Sequence, residues 1–316
     1  MLPIAFTETV ELKNRLHEID DLRAHLLCAP ISPKTEMKLQ WEARATKIHS
    51  SLGLAGQPIS RGQVVKILAN STKHLPNEFN VVMWHKAALE YMTEYWTANP
   101  KPVTIQTVIR LADIMHTFPN TIERSMQETD GPIRATLEYL SPQSDHPVIQ
   151  AGIALCLLST VAPIIGDTGV VARLVSNVFL AKSGYDVRGL LTVEKNWLSS
   201  EKSYEIALNS LRRESNLNHW LQFYTETIAD NLRERAADIH NPKIHLDIHS
   251  AFWEINDRQR SILTYVSEPG SSITNKKVQT LCNTSQITAS RDLAKLTTLG
   301  LLSSHGKGRS ISYTLK

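Results

Sequence analysis

Residues 148–165, VIQAGIALCLLSTVAPII, carry no charge, and their polar side chains are Gln150, Ser159 and Thr160. A helix that is apolar on every side has to be buried, in protein or in lipid. The run is long enough to raise the membrane question. Gln150 near its start, Pro163 near its end and the absence of flanking basic residues point instead to a helix inside a soluble core. The rest of the chain supplies amphipathic helices to surround it. Leu12, Leu16, Ile19, Leu22 and Leu26 form one stripe over residues 8–27, which Pro30 and Pro33 end. Ser32 is the expected N-cap of the next helix, with Pro33 at its first position, and Ser60 caps another. Further helices are predicted near residues 77–97, 104–116, 169–182, 202–214 and 216–238, with loop and helix over 123–140. Before residue 300 there is no period-2 alternation and no fixed-period repeat, so the expected fold class is mainly α.

At 316 residues the chain is long enough for two or three domains. Its 42% hydrophobic and 21% charged residues are those of a soluble globular protein. Cys28, Cys156 and Cys282 are far apart and odd in number, which predicts reduced thiols, a cytoplasmic location and no disulfide framework. None has metal-ligand spacing, and neither a metal nor a cofactor is expected. The first residues lack a basic start followed by an apolar run, so no signal peptide is expected.

The net charge of +3 is uneven: residues 273–316 hold seven Lys/Arg against one acid, Asp292. A basic end on a slightly acidic body predicts an anionic partner for that end. Residues 256–316 read as helix, short helix, helix and hairpin. The third helix takes Ser285 as N-cap and Gly300 as stop, with Ala289, Leu293 and Leu296 inward and Thr288, Arg291, Lys295 and Thr298 outward. In the hairpin, Ile311, Tyr313 and Leu315 are expected inside, with Ser310, Ser312 and Thr314 outside. The stretch ITNKKVQTLCNTSQITASRDLAKLTTLGLLSSHGKGRSISYTL resembles the winged helix-turn-helix family. That resemblance implies contacts to double-stranded DNA from Gln286, Thr288, Arg291 and Lys295 on the third helix and from Lys307 and Arg309 on the wing.

Residues 145–231 resemble the Fic family, whose active members transfer AMP from ATP to protein hydroxyls. HPVIQAGIALCLLSTVAPI is similar to the central helix and signature loop, and GVVARLVSNVFLAKSGYDVRGLLTVEKNW to the helix after it. KSYEIALNSLRRESNLNHWLQFYTETI resembles the closing segment, and IHSSLGLAGQPISRGQVVKIL the inhibitory helix, placed at about residues 33–56. The family signature is His-Pro-Phe-x-(Asp/Glu)-Gly-Asn-Gly-(Lys/Arg)-x-x-Arg. Set on this chain, the histidine becomes Ala162, Pro163 is kept, the phenylalanine becomes Ile164 and the acid becomes Gly166. Asp167 and Thr168 replace glycine and asparagine, Gly169 and Arg173 are kept, and Val170 replaces the first cation. Alanine cannot take the hydroxyl proton, and glycine offers magnesium no ligand. The inhibitory motif (Ser/Thr)-x-x-x-Glu-(Gly/Asn) reads Ser51 to Gly56 with Ala55 in place of the glutamate.

The expected architecture is therefore a Fic-type helical bundle followed by a small winged-helix domain. Residues 1–100 form an N-terminal helical region, 101–240 a degenerate Fic core, 241–255 a connecting helix and 256–316 the winged helix. The expected function is DNA-binding transcriptional regulation, with a pseudoenzyme Fic domain as sensor or oligomerisation body, working as a homodimer and answering to an effector. The alternative is an AMP-transferase or nucleotide binder with relocated chemistry.

Overall fold

The apolar run is a helix over Pro147–Val161, and residues 148–158 are all buried. The computed structural model describes residues 5–70, 76–116, 122–141, 145–161, 169–214, 216–240, 255–268, 270–306 and 311–315. In chain order the body comprises α1 (Val10–Cys28), α2 (Pro33–Gly53), α3 (Arg61–Asn70), a 3-10 turn (Asn77–Phe79), α4 (Asn80–Trp96), α5 (Ile105–Ile114) and α6 (Ile122–Leu140). It continues through α7 (Pro147–Val161), α8 (Val170–Lys182), α9 (Val193–Ser199), α10 (Glu201–Leu208), α11 (Ser210–Glu214) and α12 (Asn218–His240).

Helix α7 is wrapped by α6, α8 and α12, which removes the need for lipid that its composition raised. Among the described residues no helix is long and apolar enough to cross a membrane. The approach of α12 depends on Gly152: a Cβ there would lie 3.0 Å from Tyr224 Cδ1 and 3.1 Å from Leu221 Cδ2. At the same point Trp220 Nε1 donates to the Gly152 carbonyl at 2.7 Å. Helix α8 is buried along nearly its whole length, from Val170 to Ala181. Helix α1 lays its stripe of Leu12, Leu16, Ile19 and Leu26 against the body and packs along α12.

The capping residues behave as their chemistry predicts. Ser32 Oγ accepts from Thr35 N at 3.2 Å with Pro33 opening α2, and Ser60 Oγ accepts from Gln63 N at 3.3 Å. Two expectations change. The segment 202–214 is broken at Asn209, whose Nδ2 donates to the Glu205 carbonyl at 2.8 Å and closes α10. The loop expected within 123–140 is helix as well: α6 carries Pro132 inside it. The connecting helix expected at 241–255 lies, but for its last residue, outside the described residues.

The C-terminal module runs α13 (Asp257–Val266), β1 (Ile273–Thr274), α14 (Asn275–Cys282), α15 (Gln286–Thr298), β2 (Leu302–His305) and β3 (Ser312–Leu315). Its antiparallel sheet has the order β1-β3-β2, with Ile273 opposite Tyr313 and Leu302 opposite Leu315. A separate small core gathers Ile262, Val266, Ile273, Val278, Ala289, Leu293, Leu296 and Leu302. Leu315, expected inside, is 46% exposed. The reason is the shortness of β1, which pairs with residues 312 and 313 and leaves Leu315 a strand neighbour on one side. Beyond α15 the module meets the body. Leu299 joins the body's core, and Gly300, at φ +77°, would place a Cβ 3.2 Å from Arg44 Nη2 on α2. His305 Nδ1 faces Glu94 Oε1 of α4 at 3.9 Å.

Candidate functional site

The signature loop itself, with Ala162, Pro163, Gly166, Asp167 and Thr168, lies outside the described residues. Its downstream edge is described. Gly169 adopts φ +80°, a left-handed conformation that costs glycine nothing, and α8 starts at the next residue. Arg173 N donates to the Gly169 carbonyl at 3.1 Å, closing the first turn.

The Arg173 side chain is 3% exposed, so it does not reach solvent. Nη2 donates to the Ser51 carbonyl at 2.8 Å and Nε to Ser51 Oγ at 3.2 Å. Ser51 lies in the last turn of α2, where helix carbonyls run out of backbone donors. Here the chain past Gly53 turns tightly: Ala55 N and Gln57 N both donate to Leu52, and Gly56, at φ +72°, donates to Gly53. None of these amides goes to Ser51, whose carbonyl takes the guanidinium instead. A cation at a helix C-terminus also meets the negative end of the helix dipole. Ser51 thus lies in the last turn of α2, Gly56 lies in the turn that follows, and Ser51 supplies the acceptors for Arg173. No acid from the end of α2 reaches it, since residues 51–57 contain none.

Around this contact lies a set of buried polar side chains that helical periodicity did not single out. His85 on α4 is 2% exposed, and its Nδ1 has no hydrogen-bond partner among the described residues. Burial, with the Arg173 and Lys47 cations nearby, pushes its pKa down to about 3, so it is neutral at physiological pH. Lys47 Nζ is paired with Asp186 Oδ1 at 2.5 Å. Glu194 at the start of α9 is 2% exposed; its Oε1 accepts from Asn177 Nδ2 at 2.6 Å, while Oε2 is buried with no hydrogen-bond partner among the described residues. Burial pushes the Tyr204 phenol up, against the opposing pull of the Arg173 cation. His146, at the head of α7, is engaged elsewhere: Nε2 lies 3.3 Å from Asp20 Oδ1 and 3.1 Å from Tyr185 Oη. The sequence carried no pattern for this cluster, because its members come from α2, α4, α8, α9 and α10.

The second candidate surface is the outer face of α15. Ser285 Oγ caps the helix, accepting from Thr288 N at 3.2 Å, and lies 3.0 Å from Thr288 Oγ1. Thr288 is therefore half-buried and part of the cap. Gln286 and Arg291 are exposed, and Lys295 is half-buried. Thr298, expected outward, is 6% exposed: it lies where the end of α15 meets the body, next to Leu299. Lys307 and Arg309 lie outside the described residues. The acid of this segment is turned inward. Asp292 is 4% exposed, accepting from Gln259 Nε2 at 2.6 Å and Arg258 Nε at 2.9 Å on α13. This contact also raises the Arg258 pKa.

No family model matches this sequence, and no curated protein matches it. Solved structures do. A Fic family protein from Desulfovibrio desulfuricans aligns with a TM-score of 0.62 at 14% identity, over 99% of this chain and 98% of its own. Fic-1 (residues 134–508) from C. elegans aligns with a TM-score of 0.57 at 16% identity, over 72% of this chain and 73% of its own. A variant of that protein gives 0.58 at 17%, over 71% and 72%. At such identities the likeness is one of fold, and in the first case it runs through the C-terminal module as well as the body. With a buried central helix followed by a second buried helix, the chain has the Fic fold.

Proposed function

We propose that this protein is a DNA-binding transcriptional regulator whose Fic body is catalytically silent and whose C-terminal module is a winged helix-turn-helix. The observation that carries the reading is the charge of the α15 face. Its acid, Asp292, is spent on Gln259 and Arg258 inside the module, while Gln286 and Arg291 stand exposed. A basic helix face of this kind suits the phosphates and base edges of a duplex. The loss of function in the body is supported from two directions. Ala162 and Gly166 supply neither a base nor a metal ligand at the positions the family uses. Arg173, which would meet phosphate, is committed to the end of α2. We further propose that the protein acts as a homodimer in the cytoplasm, with the body as sensor or oligomerisation unit.

A salt-titrated binding assay on genomic duplex fragments tests the central claim. Arg291→Glu is expected to weaken binding and to lower the log–log salt slope by about one unit. Equal binding by wild type and Arg291→Glu across the titration would refute the assignment of this face. Light scattering tests the dimer: a mass near 35.5 kDa at micromolar concentration would count against it.

A further inference from the structure

The α15 face carries an apolar side chain with no role in the fold. Ile287, in the first turn, is 66% exposed, although the module's core is complete without it. A β-branched residue there adds nothing to helix propensity, and the N-cap is already made by Ser285. Its surroundings are specific. Gln286, Ser290 and Ala294 are exposed and follow one another at intervals of four, and Ile287 and Arg291 form the parallel row beside them. The small side chains of Ser290 and Ala294 allow a close approach along the middle of the face. Asn275 Nδ2 donates to Ser290 Oγ at 2.8 Å and to the Gln286 carbonyl at 3.3 Å, which fastens the start of α14 against this face. Exposed Lys276 follows directly after Asn275 and flanks it with positive charge, while Lys277 Nζ lies over the Tyr265 ring of α13, 5.3 Å from its centroid.

The occupant of such a face must be anionic at its margins and offer an apolar spot at its centre. Duplex DNA meets both conditions. The thymine C5-methyl is the apolar group that base pairs display in the major groove, and a glutamine amide pairs with adenine N6 and N7. Resting on the DNA-binding reading above, we propose that Ile287 is a specificity-determining residue: it seats on a thymine methyl, beside an adenine read by Gln286, while Arg291 and Lys276 hold the phosphates.

The test uses the full chain and a randomised duplex library. Sequences retained by the protein are recovered, and each thymine in the best-retained duplex is replaced in turn by deoxyuridine, which keeps the pairing and loses the methyl. At one or two positions the replacement is expected to weaken wild-type binding roughly three- to fivefold, the effect of losing one buried methyl contact. Ile287→Ala is expected to bind the thymine duplex more weakly by a similar factor, to be indifferent to deoxyuridine there, and to keep the wild-type salt slope. Because Ile287 is exposed and outside the core, the variant should melt with the wild type. If no thymine position responds, or Ile287→Ala still discriminates, the proposal is overturned. It is equally overturned if Ile287→Ala converts a dimer to a monomer, which would make the residue an interface between copies. Failure of the wild type to retain any duplex would instead sink the DNA-binding reading on which this inference stands.

Discussion

Arg173 offers the sharpest test of what the start of α8 does. If it is a helix cap, its removal should be felt in the unliganded protein. Arg173→Ala deletes two hydrogen bonds from a side chain that is 3% exposed and leaves both Ser51 acceptors without donors. Losing both charge-assisted hydrogen bonds and leaving the side chain's volume empty costs on the order of 3–5 kcal/mol together. For a body of this size that corresponds to a fall in melting temperature of roughly 6–20 °C. Arg173→Met separates charge from volume. It fills most of the space and removes the cation together with its desolvation cost, leaving mainly the unpaired carbonyl, so about 1–2 kcal/mol is expected. Scanning calorimetry on the unliganded proteins reads both, and isothermal titration with ATP is run beside it. If Arg173→Ala melts within about 1 °C of wild type while wild type binds ATP and the variant does not, the arginine is a ligand group and the capping argument is wrong.

Burial of His85 as a neutral imidazole ties stability to pH. Its folded pKa of about 3 lies below the ordinary value of 6.5, so its contribution is complete above pH 6.5 and is lost as pH falls from there toward 3. Urea denaturation should show wild type losing up to about 1.4 kcal/mol per pH unit more than His85→Gln in that window; parallel curves would refute the assignment. On the proposed silent reading of the body, radiolabelled ATP should transfer no AMP to this protein or to others, and Ala162→His should not restore transfer, because that reading sets Gly166 at the metal-ligand position and Asp167 at a glycine position. Label above the blank in either protein would contradict this. Asp292→Ala strands the buried amide of Gln259 and should cost the C-terminal module about 1–3 kcal/mol. Faster amide exchange in α13 and α15, with the body unchanged, is the expected signature, and unchanged exchange would count against it.

Much of the architecture follows from local pattern. A run without charge had to be buried, and α7 is; the stripe from Leu12 to Leu26 had to face inward, and α1 does so. Ser32, Ser60 and Ser285 cap helices because a short side-chain oxygen can reach an amide three residues on, which is a property of the chain segment alone. Local pattern fails where a side chain answers to something distant. Thr298 has outward helical spacing but lies where the module meets the body, and Leu315 alternates correctly but extends past the short β1.

The sequence by itself determined the helical class, the buried central helix and the basic charge of the last segment. Those depend on residue type and on spacings of a few residues. The tertiary structure alone decided which partners the buried polar groups meet. Arg173 finds Ser51 across 122 residues, Glu194 takes its hydrogen bond from Asn177 on another helix, and Asp292 turns inward to meet Gln259. Buried charged and polar groups must be satisfied wherever the fold brings a partner, and which partner arrives is set by the packing of whole helices.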